Sequence, residues 1–173
     1  QSMRYLFDAI YAIALLLYSP LILWRMAVLG KWRRGWAERF GAVPRLAVGR
    51  RAIWIHAVSV GEANATVTLV DALRRELPDH DIVFSATTDT GYARLGKLHP
   101  DALRFHYPLD FSFAIARAFR RLRPAMIILM ELELWPNLLR MARARGIPVV
   151  VANGRISDRA MPRYQRWRRL IEP

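Results

Sequence analysis

Short apolar runs alternate with longer amphipathic runs along most of the chain, and this alternation limits the possible fold more than any other feature of the sequence. The short runs predict strands at 52–58, 81–86, 104–107, 126–130 and 147–152. The amphipathic runs predict helices at 62–77, 91–98, 111–122 and 135–145. Regular alternation of strand and helix is typical of a parallel sheet covered by helices on both faces. The sequence therefore predicts a Rossmann-like α/β domain over residues 49–173.

Each predicted strand is followed by a polar loop. The five loops are 59–62, 87–91, 108–110, 131–137 and 153–157. In a parallel sheet the carboxyl ends of the strands meet at one edge, where the amino termini of the following helices also lie. We therefore expect the five loops to converge and to carry the chemistry of the domain.

The first part of the chain, residues 3–48, is built around an apolar segment. No charge interrupts the sixteen residues 9–24, between Asp8 and Arg25. Three interpretations remain open: a membrane-spanning helix extended by residues 26–29, a helix lying in the membrane interface, and a helix buried in the protein core. Membrane association is favoured because basic residues and Trp24, Trp32 and Trp36 crowd the carboxyl-terminal flank. Residues 1 and 2 precede Met3 and are set aside, and the segment does not fit a cleaved secretory signal.

The chain is strongly basic. Lys and Arg total 27 against 14 for Asp and Glu, which gives a formal charge of +13 in 173 residues. This excess favours a phosphate-rich partner or an anionic membrane surface. A nucleic-acid partner is not expected, because no helix-turn-helix and no aromatic RNA-binding platform is recognisable. The absence of Cys excludes a thiolate nucleophile and Cys-ligated zinc, and no P-loop or dinucleotide motif is present.

Glu62 is the first candidate for a chemical role. It follows the small residues Ser59 and Gly61 and should lie in the first turn of a helix. The helix amino terminus stabilises an ionised carboxylate, so Glu62 would be a competent base at neutral pH. The alternative is a carboxylate that serves only the helix dipole, although Gly61 would let a ligand approach the backbone closely.

The other candidates follow the later strands. Thr88, Thr90 and Gly91 offer hydroxyl and backbone N–H groups that could bind an anion or a sugar, unless Thr90 only caps the next helix. Glu131 and Glu133 lie after the fourth strand, and we expect one of them to be a paired structural carboxylate.

Two further residues, one Arg and one His, are considered for a role in the site. Arg155, after the fifth strand, could bind a phosphate or a carboxylate. His56 lies within a buried strand and is expected to be a satisfied core or supporting residue. The histidines have no zinc-binding spacing, so no metal site is predicted.

The loops, taken as a set, resemble the N-terminal half of the 3-deoxy-D-manno-octulosonic acid (Kdo) transferases of lipopolysaccharide synthesis. The matching segments are 54–62 (WIHAVSVGE), 88–91 (TDTG), 107–110 (YPLD), 131–137 (ELELWPN) and 153–157 (NGRIS), with 39–41 (RFG) after the apolar segment. Their combination in this order is more specific than any one motif. Ala86, Asp89 and Gly154 depart from the family pattern.

The resemblance implies an inverting glycosyltransferase of the GT-B arrangement, in which this chain supplies the first of two Rossmann-like domains. The other domain would bind the donor CMP-Kdo, while this domain and its basic flank would bind a lipid A precursor at the cytoplasmic face of the inner membrane. The isolated chain is then expected to be inactive in transfer.

The resemblance also implies roles for the candidate residues. Glu62 matches the family's catalytic base, and no metal or cofactor is required. One of Glu131 and Glu133, with Asn137, would orient the acceptor or the base. The expected acceptor-binding residues are Ser59, Gly61, Thr88, Thr90, Gly91, Glu131, Glu133, Asn137 and Arg155. The competing interpretation is a non-catalytic, basic peripheral membrane module that binds anionic lipid, which accounts for the charge but not for five polar loops at one edge.

Overall fold

The computed structural model of the chain describes residues 2–29, 34–133 and 135–152, and within them it contains a five-stranded parallel sheet. The strands are β1 (Arg51–His56), β2 (His80–Ala86), β3 (Leu103–His106), β4 (Pro124–Leu129) and β5 (Val149–Val151). The helices are α1 (Ser2–Leu29), α2 (Trp36–Arg39), α3 (Val60–Glu76), α4 (Asp89–Leu98), α5 (Ser112–Leu122) and α6 (Pro136–Ala144). All nine strands and helices predicted after residue 49 are confirmed, with ends that shift by at most two residues. The predicted α/β fold is therefore confirmed.

The strand order is β3-β2-β1-β4-β5, which makes β1 the central strand. Successive side chains of β1 point to opposite faces of the sheet, and both faces are buried. Trp54 packs in the core beneath α5 and α6, while Ile53 and Ile55 pack in the core beneath α3 and α4. This burial on two sides is the reason that β1 reads as a continuous apolar run rather than an alternating one.

Residues 36–46 pack against the sheet domain, although the sequence placed them in the first region. Val43 is fully buried and Leu46 is 8% exposed, and both belong to the core cluster that contains Trp54. Arg39 in α2 donates a hydrogen bond to the Thr87 carbonyl, and its own carbonyl accepts one from the Leu109 amide. The division at residue 49 stays a prediction, and this part of the proposed first region shares the core of the second.

The helix α1 is attached to the sheet domain near its amino-terminal end. Asp8 accepts hydrogen bonds from the Ser112 amide at 2.8 Å and from the Asn137 side chain at 3.2 Å, and Tyr11 packs edge-on against Phe111. Residues 5–28 have a mean hydropathy of 2.0, and none of them is buried. The interpretation of this segment as a buried core helix is therefore wrong, because none of its apolar side chains is buried and most are exposed. Its length and composition alone would allow it to cross a membrane.

Candidate active site

The central feature of the candidate site is the crevice between the loops that follow β1 and β4. The strands β2 and β4 are the two neighbours of β1. The chain continues from β1 towards β2 but from β4 towards β5, so the loops after β1 and β4 lead away in opposite directions. Open α/β sheets bind their ligands at such a switch point, outside the carboxyl ends of the strands. The loop after β1 carries Glu62, and the loop after β4 carries Glu131 and Glu133. The loop predicted after β5, with Arg155, lies outside the described residues.

Glu62 forms a capping box with Ser59 at the start of α3. One carboxylate oxygen, Oε2, accepts a hydrogen bond from the Val58 amide at 2.8 Å. The other, Oε1, accepts from the Ser59 amide at 3.1 Å and from the Ser59 hydroxyl at 2.7 Å. The residue is 8% exposed. An ionised carboxylate can accept about four hydrogen bonds. The loop supplies three of them, so a position on Oε2 remains for a ligand.

The loops after β1 and β2 are joined by Thr88 and Gly91. The Thr88 hydroxyl donates to the Val58 carbonyl at 2.7 Å and accepts from the Gly91 amide, so Thr88, and not Thr90, is the N-cap of α4. A Cβ at Gly91 would lie 2.8 Å from the Val58 carbonyl oxygen. Thr90 is exposed, and its hydroxyl reaches Thr88 at 3.3 Å. These residues fix the position of the loop that holds Glu62, and contact with an acceptor stays a prediction for each of them.

Glu131 and Glu133 have different surroundings. Glu131 is exposed, whereas the Glu133 side chain is only 26% exposed. The Trp135 indole donates to Glu133 Oε2 at 2.9 Å, and His56 Nε2 lies 3.3 Å from the same oxygen. His56 Nε2 is within contact distance of the carboxylate but makes no aligned hydrogen bond with it. Glu133 is thus held at the crevice by two neighbouring rings, while Glu131 extends into solvent.

His56 and Tyr107 form a buried pair behind Glu133. His56 is 2% exposed, and its ring lies 4.1 Å from that of Tyr107, centre to centre. The Tyr107 hydroxyl is buried and has no hydrogen-bond partner among the described residues. Burial raises the pKa of the Tyr107 phenol well above its usual range, and the negative charges of Asp110 and Glu133 add to this effect. The hydroxyl therefore stays protonated and can donate to a group that enters the site.

Asn137 is fully buried and supports the site without facing it. Its side-chain amide donates to the Asp110 carbonyl and to Asp8, while its backbone amide donates to the Asp110 carboxylate at 2.8 Å. Asp110 also accepts from the Leu138 amide, so its carboxylate occupies the amino terminus of α6. The side chain and the backbone amide of Asn137 both bind other protein groups. That Asn137 orients the site through these neighbours stays a prediction.

His106 lies at the end of β3 and was not singled out by the sequence. Its Nδ1 is 2.8 Å from Glu38 in α2, and its Nε2 is 3.2 Å from Asp89 at the start of α4. The ring stacks on Tyr92 at 4.5 Å. Burial favours the protonated acid, but the hydrogen bonds from His106 hold the pKa of Glu38 below its usual range. The partners are up to 68 positions apart in the chain, so local spacing gave no signal for this cluster.

The arrangement favours acid–base and hydrogen-bonding chemistry. Two carboxylates lie on the loops that follow the neighbouring strands β1 and β4, and the imidazole of His56 lies beside one of them with the phenol of Tyr107 behind it. Within residues 2–29, 34–133 and 135–152, no three His, Asp or Glu side chains are grouped as a metal ion would require. The expectation that the reaction needs neither metal nor cofactor stays a prediction.

The comparisons with known proteins agree on one family. Residues 34–173 match the sequence model of a family described as 3-deoxy-D-manno-octulosonic-acid transferase (kdotransferase). A 3-deoxy-D-manno-octulosonic acid transferase of Haemophilus influenzae is 39% identical over 161 residues, which cover 89% of this chain and 38% of the relative. The protein of the same name from Bordetella pertussis is 38% identical over 162 residues, covering 86% of this chain and 37% of the relative.

A third relative has a broader name. A bifunctional glycosyltransferase/methyltransferase of Fusobacterium nucleatum is 35% identical over 123 residues, covering 69% of this chain and 19% of the relative. The chain therefore spans less than two fifths of the length of these three relatives.

Proposed function

Because the chain belongs to the family of the Kdo transferases, we propose that it carries the acceptor-binding half of an enzyme that transfers Kdo from CMP-Kdo to a lipid A precursor. The observation that carries this proposal is the position of Glu62 and Glu133 on the two loops that border the switch point. In this interpretation the donor binds mainly to a second domain outside this chain, and the 173 residues alone do not transfer Kdo.

Glu62 is the general base in this mechanism. A hydroxyl oxygen of the acceptor sugar attacks the anomeric carbon of Kdo, the bond from that carbon to the CMP phosphate breaks, and the hydroxyl proton passes to Glu62 Oε2. Attack opposite the leaving group inverts the anomeric configuration. The capping box supports this role because it fixes the carboxylate before substrate arrives, and preorganised groups cost no rearrangement during the reaction. CMP leaves as a phosphate anion, and no metal is required of this step provided that dipoles and cations of the other domain stabilise that charge.

The basic charge of the chain has a role in the same proposal. A lipid A precursor is a phosphorylated glycolipid, and Arg binds phosphate through paired hydrogen bonds. A formal charge of +13 also attracts the chain to anionic lipid. We therefore place the enzyme at the cytoplasmic face of the inner membrane, with Arg155 among the candidate phosphate-binding residues.

The attachment of α1 supports a helix that lies on the membrane rather than crossing it. Asp8 binds the sheet domain, and the chain is back on that domain at Trp36 and Phe40, whose ring lies 6.3 Å from that of Phe113. The helix runs roughly 31 Å from Asp8 to Leu29, and the seven residues from there to Trp36 reach at most about 25 Å. A hydrocarbon core of about 30 Å cannot be crossed and recrossed within that length.

The transfer reaction is tested with a full-length enzyme that contains this chain. Purified protein should transfer Kdo from CMP-Kdo to a lipid A precursor in mixed micelles, and product should appear without added divalent metal in the presence of EDTA. The 173-residue chain is the matched control, and it should bind acceptor micelles without producing product. Binding to every anionic vesicle, with no transfer and no preference for the phosphorylated glycolipid, would instead favour the non-catalytic membrane module.

A further inference from the structure

The side chain of His56 has two different environments at its two ring nitrogens. Nδ1 lies 2.8 Å from the Ser85 hydroxyl oxygen and 3.2 Å from the Ser85 carbonyl. Nε2 lies 3.3 Å from Glu133 Oε2 and makes no aligned hydrogen bond among the described residues. Because His56 is 2% exposed, water does not compensate for the missing partner. A buried polar atom left in this state needs an explanation, and Glu133 is the group beside it.

The hydrogen bonds around Ser85 indicate which nitrogen carries the proton. The Trp54 indole can only donate, and it donates to the Ser85 hydroxyl oxygen at 2.7 Å. The Ser85 hydroxyl proton then needs an acceptor, and His56 Nδ1 is within reach. If Nδ1 is unprotonated, the single N–H of a neutral imidazole is at Nε2, which faces the Glu133 carboxylate. The opposite tautomer would set a lone pair against a negative charge.

We propose that His56 is a positioning residue that, together with Trp135, holds Glu133 as the carboxylate that binds the acceptor. The inference rests on the proposed transfer function. The Trp135 indole donates to Oε2 of Glu133 and His56 Nε2 lies 3.3 Å from the same oxygen, while Oε1 accepts no hydrogen bond from the described residues and is free to receive a hydroxyl of the acceptor sugar. The contact from Nε2 shortens when acceptor fills the crevice, as expected for site hydrogen bonds that are long in the free enzyme. Glu131, which is exposed and lacks these contacts, has no part in acceptor binding.

Two substitutions of His56 separate positioning from packing. The amide nitrogen of Gln reaches about as far as Nε2, whereas the amide group of Asn reaches only about as far as Nδ1, where its oxygen can accept from the Ser85 hydroxyl. In the full-length enzyme, His56→Gln keeps a donor to Glu133, and His56→Asn keeps only the contact with Ser85. Loss of one hydrogen bond to a charged group corresponds to roughly a 10- to 100-fold effect. We expect His56→Asn and Glu133→Gln each to raise the acceptor KM by about that factor with little change in kcat, while His56→Gln stays within about threefold of wild type.

The double variant decides whether the two residues act as one unit. If His56 acts through Glu133, His56→Asn combined with Glu133→Gln lowers kcat/KM no further than Glu133→Gln alone. Multiplicative effects, or equal loss in His56→Gln and His56→Asn, would overturn the proposal. Glu131→Gln is the matched control for the loss of a carboxylate on the same loop, and an acceptor KM raised as far as in Glu133→Gln would also overturn it.

A second measurement needs neither a variant nor turnover. Nitrogen-15 NMR of the imidazoles in the wild-type, full-length enzyme should show a protonated Nε2 and a bare Nδ1 for His56, assigned by the signal missing from His56→Gln. A bare Nε2 would rule out the proposed support of Glu133. If the wild-type enzyme transfers no Kdo, the proposed function fails, while the tautomer and the coupling of the two residues in thermal unfolding still decide whether His56 holds Glu133.

Discussion

Replacement of Glu62 by Gln affects both the fold and the proposed chemistry, and the two effects have different sizes. The carboxylate accepts hydrogen bonds from the Val58 amide, the Ser59 amide and the Ser59 hydroxyl. A Gln side chain keeps one accepting oxygen, which can serve both groups of Ser59. Its amide nitrogen cannot accept from Val58, so that buried N–H loses its partner at a cost of about 1–3 kcal/mol.

This structural cost is too small to remove activity by unfolding. A domain with a stability of about 5 kcal/mol that loses 3 kcal/mol keeps roughly 97% of its molecules folded. Loss of a general base lowers the rate by a factor on the order of 100 to 10,000, which is a change of about 3–5 kcal/mol in the activation barrier. The Glu62→Gln enzyme should therefore melt at a somewhat lower temperature and lose at least 99% of its kcat at a temperature where it is folded.

The assay compares kcat for Kdo transfer with the midpoint of thermal unfolding in the same full-length preparations. Thr66→Val is the matched control, because Thr66 is fully buried in the same helix and its hydroxyl contacts His99 Nε2 at 2.8 Å. This variant loses a similar amount of stability but lies outside the candidate site. If Glu62→Gln turns over within a few-fold of Thr66→Val at equal loss of stability, Glu62 only caps α3 and the proposed mechanism is refuted.

Three further predictions concern Asp110, the two site glycines and Asp8. Burial raises the pKa of Asp110 to about 6, so the folded state binds this proton more tightly than the unfolded state, and the resulting stability is fully present below about pH 4 and lost as pH rises through 6. The unfolding free energy of wild type, measured by urea titration relative to Asp110→Asn, should fall by roughly 2–3 kcal/mol between pH 4 and pH 8, and a pH-independent difference would contradict this. Gly91→Ala should lower the melting temperature because its Cβ would lie 2.8 Å from a carbonyl oxygen, whereas Gly61→Ala meets only the Ser59 hydroxyl at 3.8 Å and should keep its melting temperature while raising the acceptor KM; an unchanged KM would remove Gly61 from the site. Asp8→Ala removes the acceptor of Ser112 and Asn137 and should speed amide exchange at residues 5–11 relative to wild type, with no change expected in β1. Equal exchange at residues 5–11 in wild type and Asp8→Ala would show that α1 is held by other contacts.

The sheet and its helices could be predicted because their signals are local. Strands buried on two faces appear as short apolar runs, and helices appear as amphipathic runs, so each element is recognisable without its partners. The loops at the strand ends followed from the same pattern, since parallel strands place them at one edge. The position of Glu62 in the first turn of a helix was also predicted. Ser59 and Glu62 have the Ser-x-x-Glu spacing of a capping box as well, a local signal that was not used.

The contacts that shape the site could not be predicted in this way. Asp8 binds Ser112 across 104 positions, and Glu38 binds His106 across 68. Such pairs depend on how finished elements pack, and no periodicity links their positions. The four-residue helix α2 was missed for a related reason, since one turn carries too little pattern to be recognised and is held here by its contacts with β3. The unequal surroundings of Glu131 and Glu133 likewise arise from His56, on a different strand.

The hydrogen bonds of Asp8 make the apolar helix α1 part of the framework of the crevice. They meet α5 at its first residue and α6 through Asn137, and α6 begins directly after Trp135, whose indole supports Glu133. A truncated protein without residues 1–29, prepared to avoid detergent, would lose this brace as well as the proposed contact with lipid. Weak activity in such a protein would therefore report a loosened crevice as much as a missing bilayer.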